Sequence, residues 1–176
     1  MPAPTASPLA SPTADQASTA APAPSAVPGV RVCTAADIQA RASEQGLPGA
    51  IGGSLILTNG SATPCALTSP PGSGTPHLSL ADGSGAAIAT QPAVLSGDAL
   101  PSVTLAAGQR TSVTFTWSNW CGAAPPAPIS LSMALSGGEA ASAQISGSDA
   151  SADATPRCDD PSQPSTLSTS GFSPAQ

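Results

Sequence analysis

Cysteine is the residue type in this sequence whose number and spacing most nearly state a chemistry. Cys33, Cys65, Cys121 and Cys158 stand more than thirty residues apart at each step, and His77 is the only imidazole. A zinc site wants ligands paired about two to five residues apart, so no metal is expected. Disulfides in an oxidising compartment are the reading that fits. Four cysteines allow three connectivities, and the sequence alone does not select one. Joining sequential neighbours, Cys33 with Cys65 and Cys121 with Cys158, asks least of the topology and is favoured. Closing the loop from 121 to 158 would stabilise the fold by roughly 4 kcal/mol in the chain-entropy model, which is large against a thin, alanine-rich core.

Catalytic constellations are not visible. His77 opens a strand beside Pro76, and no serine among the many stands out as its nucleophile. No Gly-x-Ser-x-Gly elbow occurs, and the adjacent Asp159 and Asp160 alternate in direction, which suits a loop better than a paired acid and base. Without any lysine the chain has no Schiff-base chemistry, no P-loop and no Ser-x-x-Lys nucleophile. All four basic residues are arginines, scattered at positions 31, 41, 110 and 157 of a chain with net charge −6. That leaves no basic patch for nucleic acid and no polybasic cluster for an anionic membrane. No enzyme and no cofactor are expected; a hydrolase or redox protein whose site is hidden by low complexity is the alternative.

Recognition has three candidates. Trp117 alternates inward with Phe115 and reads as core. Trp120 stands out of phase with that face, beside Cys121 and before the proline-rich loop AAPPAP, and is a candidate contact residue for sugar or protein; covering a disulfide is the plainer role. Asn59 lies in LTNGS, where Asn59 and Gly60 suit a tight turn with positive φ at the end of a strand. The same residues form an acceptor sequon, Asn59-Gly60-Ser61, which the turn explains fully. A contact site is expected where the cysteines gather, at residues 120–128 with Asn59 and the approach to Cys158, while the outward sheet positions, mainly Ser, Thr and Ala, offer little apolar area and few directed charges.

The elements that must position these residues are short strands. Gly and Pro together number 38, only 8% of residues are charged and 2% are aromatic, which favours turns and strands over long helices. SVTFTWS (112–118) puts Val113, Phe115 and Trp117 on one face, and ISLSMAL (129–135) does the same with Ile129, Leu131, Met133 and Leu135. Weaker strands are SLILT (54–58), HLSLA (77–81), AAIAT (86–90), SVTL (102–105) and SAQIS (142–146). TAADIQARASEQG (34–46) is the one helical candidate, with Thr34 as cap and Asp37 in the first turn. Short strands separated by Gly-rich turns predict an all-β, immunoglobulin-like antiparallel sandwich over residues 31–160. Following the strands alternately up and down gathers all four cysteines at one end. Residues 1–30, dominated by Ala, Pro, Ser and Thr, read as a disordered linker, and 161–176 as a second disordered tail.

An early Cys33-Thr-Ala-Ala-Asp, then GAIGGSLILTNGSATPCAL, HLSLADGSG and VTLAAGQRTSVTFTWSNWC, resembles the DUF4232 family of bacterial cell-envelope domains of unknown function. The similarity covers roughly residues 31–160, and its most specific pieces are LTNGSATPCAL and the segment from Trp117 to Cys121. The family commonly carries Gly-Tyr-Pro after its Cys-x-Leu motif, where this chain has Thr68-Ser-Pro-Pro-Gly-Ser-Gly-Thr-Pro, and it favours Pro at the position of Ala107. The resemblance implies an exported domain, often tethered as a lipoprotein or behind a membrane segment, with no catalytic residues to carry over. The expected role is therefore non-catalytic and extracytoplasmic, as a monomer contacting an envelope protein or glycan or serving as a structural module. MPAPTAS offers neither a basic n-region nor an apolar h-region, so no signal peptide is visible; a fragment beginning after its anchor is the favoured explanation, ahead of a start placed downstream of the true one and of a cytosolic protein with reduced cysteines, and any membrane attachment depends on a missing N-terminal anchor.

Overall fold

A computed structural model describes residues 29–70, 73–95, 100–147 and 155–175. The linker expected over residues 1–30 lies almost wholly outside the described residues. Within them the chain is all-β, and its one helical element is a three-residue 3-10 turn, Ala35–Asp37. The strands are β1 (Ile38–Leu47), β2 (Ala50–Asn59), β3 (Cys65–Thr68), β4 (Leu78–Ala81), β5 (Ala87–Ile88), β6 (Gln91–Val94), β7 (Ser102–Leu105), β8 (Arg110–Ser118), β9 (Ser130–Ala134), β10 (Ala140–Gly147), β11 (Thr166–Thr169) and β12 (Ser173–Pro174).

Ten of these strands make one curled sheet in the order β5-β4-β9-β10-β1-β2-β8-β11-β6, with β12 added to β8; β3 and β7 form a separate pair. The expected purely antiparallel arrangement is corrected, because β1 runs parallel to β10 and β6 parallel to β11. β10 belongs to two ladders. Its first five residues pair with β9 and its last three with β1, so the strand carries the sheet from one set of neighbours to the other. Inward residues from both parts meet in one core, where Val113, Phe115 and Trp117 of β8 and Leu55 and Leu57 of β2 join Leu131 and Met133 of β9 and Leu78 and Leu80 of β4. Gly53 of β2 lies across from Phe115, and a Cβ there would stand 2.8 Å from the edge of that ring and collide with the Ser43 carbonyl.

Two expectations fail here. Residues 38–47 are a strand rather than the body of a helix. Ile38, Ala40 and Ala42 alternate inward, and the whole length pairs with β2 through a two-residue turn, Pro48-Gly49, in which Gly49 has φ 76°. Proline ahead of a positive-φ glycine is the chemistry of a type II turn. Residues 161–176 are not a free tail either: β11 inserts between β8 and β6, β12 pairs with β8, and Leu167 and Phe172 are buried in the core. Two well-placed apolar residues sufficed to anchor a segment otherwise made mainly of Ser, Thr and Pro.

Candidate functional site

Cys33 is bonded to Cys65 and Cys121 to Cys158. The two bridges lie at opposite ends of the sheet, which corrects the gathering at one end. β2 and β8 are antiparallel neighbours whose register runs from Ala50 opposite Ser118 to Thr58 opposite Arg110. Cys65 follows the end of β2 and Cys121 the end of β8, so strand rise puts roughly 30 Å between them. Strict up-and-down alternation does not hold along this chain, since β1 runs parallel to β10 and β6 parallel to β11. The environments differ as well: Cys33 and Cys65 are buried in the core, whereas Cys121 and Cys158 are exposed. The first covalent loop encloses β1 and β2, the second encloses β9 and β10, and these four strands stand side by side in the sheet.

At the Cys33–Cys65 end, Asn59 is not a surface residue. It is the last residue of β2 and fully buried. Its Nδ2 donates to the carbonyls of Thr63 and Leu105, both at 3.0 Å, and its Oδ1 accepts from the Ser61 N–H at 2.9 Å and the Ser61 hydroxyl at 2.7 Å. Every hydrogen-bonding position of the amide is used, which explains an asparagine in a core and removes it from the contact site. Neither Asn59 nor Gly60 has positive φ, so the expected tight turn is instead a loop over 60–64 folded around the Asn59 amide. Beside it, the guanidinium of Arg31 pairs with both carboxylate oxygens of Asp37, at 2.6 and 2.8 Å. Asp37 also accepts from the backbone N–H and hydroxyl of Thr34, each at 2.8 Å, and these bonds hold its carboxyl well below the ordinary range. The cap expected of Thr34 therefore closes a single turn that leads into β1.

At the other end, Trp117 is fully buried and its indole N–H donates to the Ser165 hydroxyl at 2.8 Å. Trp120 is half-buried. Its ring stands edge-on to Trp117, with centroids 5.6 Å apart, and packs so closely on Gly122 that a Cβ there would lie 2.8 Å from it. The Trp120 N–H donates to the Ala123 carbonyl at 2.9 Å, so part of its surface and its one donor serve to fix residues 120–123. The residue missed in the sequence is Asn119. It adopts φ 56°, the one described non-glycine residue with positive φ. Its amide donates to the carbonyls of Asp160 and Gln163 and accepts from the N–H groups of Asp159 and Asp160, at 2.9 to 3.0 Å. Asn119 thereby ties the end of β8 to the loop that carries Cys158, and an Asn before Trp-Cys was a readable signal, since asparagine tolerates the left-handed region.

His77 is exposed and lines an apolar groove of about 250 Å³ between the start of β4 and strands β6 and β11, with Pro92, Val94 and Leu167. No described acid lines that groove; the hydroxyls that do are Ser73, Thr75 and Thr169, and Thr169 donates to the Pro76 carbonyl. Asp159 pairs with Arg157 at 2.6 Å, while Asp160 accepts from Ser162 at the turn. Among the described residues no helix is long and apolar enough to cross a membrane. A family model described as a domain of unknown function, DUF4232, matches residues 33–162. No curated protein and no solved structure matches the chain.

Proposed function

Since the chain belongs to the DUF4232 family, we propose that it works outside the cytoplasm as a non-catalytic, immunoglobulin-like sandwich module that contacts an envelope protein or glycan. The observation that carries this reading is the pair of disulfides. One is part of the core and the other clamps the loops at the far end, so both are built into the folded state, and such bridges persist in oxidising compartments. The sandwich reading is supported by the curl of the sheet, which brings the inner residues of β8 and β2 into one core with those of β9 and β4. The contact surface assigned to the module is the end formed by residues 120–128 and the loop around Cys158, which the Cys121–Cys158 bridge and the Asn119 amide stiffen and so make less costly to order on binding.

Protein quenched in acid from its producing cells and alkylated under denaturing conditions should carry no labelled cysteine; four labelled thiols would overturn the assignment to an oxidising compartment. For the contact surface, Trp120→Ala should weaken partner binding by about 1 kcal/mol or more and leave the fold intact, whereas Trp117→Ala should unfold the domain. Equal loss of stability in the two variants, with binding kept in whatever folds, would make Trp120 a lid only.

A further inference from the structure

The sheet surface turned away from the core has an unbalanced charge. Of the four arginines, Arg31 and Arg157 are engaged in ion pairs with Asp37 and Asp159. Arg41 and Arg110 are exposed, have no ion pair among the described residues, and stand on the same face. Register fixes that placement: Arg41 of β1 lies opposite Ile56 of β2, and Arg110 of β8 lies opposite Thr58, two residues along the same strand. Strand spacing and rise put their Cα atoms about 12 Å apart. The described carboxylates lie elsewhere: Asp37, Asp82, Glu139, Asp159 and Asp160 are in turns and loops, and Glu44 is across from Gly53 and Phe115 on the inner side. Among the described residues of a chain of net charge −6, this face carries these two cations and no carboxylate.

Next to the arginines the same face presents rows of hydroxyls. Ser43, Ser54 and Thr114 are aligned across β1, β2 and β8, and Thr116 follows one step along. A hydroxyl both donates and accepts, so such rows match a polyhydroxylated ligand on either role. The face lacks the buried aromatic anchors of protein interfaces, and two separated cations are too few to hold nucleic acid.

We propose that this face of β1, β2 and β8 binds an anionic glycan, a polysaccharide whose carboxylates or phosphates pair with Arg41 and Arg110 and whose hydroxyls exchange hydrogen bonds with the Ser/Thr rows between and beside them. The proposal rests on the reading of the chain as a contact module and is independent of the loop end around Trp120.

The test is retardation of the full chain in native gels at low ionic strength, containing polygalacturonate, a phosphomannan or neutral dextran. The expected result is retardation by at least one polyanion and not by dextran, lost as salt is added. Arg41→Gln/Arg110→Gln should weaken it roughly tenfold with an unchanged melting temperature. Which polyanion acts distinguishes carboxylate from phosphate. Retardation by neither polyanion, equal retardation by dextran, or retardation that survives the double arginine variant overturns the proposal. If Trp120→Ala abolishes it instead, the loop end is the site and only the sheet-face assignment falls; the thiol measurement tests the location separately.

Discussion

Removing each disulfide in turn should give two different results. In the chain-entropy model a closed loop of 32 or 37 residues contributes about 4 kcal/mol, so loop length hardly separates the two bridges. Burial does. Cys121→Ala/Cys158→Ala removes exposed sulfur and should cost little beyond the loop term. Cys33→Ala/Cys65→Ala deletes two sulfurs from positions 2% and 0% exposed, leaving a void worth roughly another 1 to 2 kcal/mol. For a domain of this size 4 kcal/mol is about 15 °C in Tm, and the buried pair should lose about 20 °C. Thermal and urea unfolding followed by tryptophan fluorescence would report both, since Trp117 is buried in the fold. Graded reduction followed by alkylation and peptide mass mapping gives an independent reading: the first species to appear should be labelled at Cys121 and Cys158 only. An exposed-pair variant less stable than the buried-pair variant, or first labelling at Cys33 and Cys65, would refute the reasoning.

Truncation before Ser165 removes Leu167, Phe172 and the hydroxyl that accepts from Trp117, and should cost about 5 kcal/mol in urea titrations; unchanged stability would show that β11 and β12 are dispensable. Gly53→Ala should destabilise by about 2 kcal/mol or more through its clash with the Ser43 carbonyl and the Phe115 ring, while Gly46→Ala, which meets nothing within 4 Å, should stay within about 0.5 kcal/mol of the parent. Stability should also depend on pH in one direction. Hydrogen bonds lower the carboxyls of Asp37, Asp82 and Asp160 in the folded state, so their contribution is complete above the unfolded carboxylate value of about 3.9 and is lost as pH falls through the lowered folded values. Urea midpoints should be flat from about pH 5 to 7 and fall below pH 4, and Asp37→Asn should flatten that fall; an acid-side rise in midpoint would contradict the sign.

The readable parts of the fold were those where side-chain alternation was strong. In β8, Val113, Phe115 and Trp117 separate cleanly from Ser112, Thr114 and Thr116, and β9 repeats the pattern. β1 was hidden by composition, since Ala, Gln, Arg and Glu favour a helix locally while ten residues of pairing with β2 decide the outcome. β6 was obscured by Pro92, which is tolerable because β6 is an edge strand with one neighbour. β11 and β12 carry too few apolar residues to announce themselves. For the candidate site, Trp117 was legible from its phase and Asn119 from its type. Asn59 was misread because Asn-Gly marks a turn whether the amide faces water or, as here, organises a loop from inside.

The four adjacent strands held within the two covalent loops set how far this domain can be drawn out. A chain stretched from both ends transmits tension from Cys33 directly to Cys65 and from Cys121 directly to Cys158, so β1, β2, β9 and β10 lie off the path of the force. At up to about 3.6 Å per extended residue, the two loops withhold roughly 250 Å of contour, close to half of what the reduced chain would release from residue 33 to residue 175. The oxidised domain is thus a tether of short stroke, whose central strands can lose their pairing under load without ever being pulled straight.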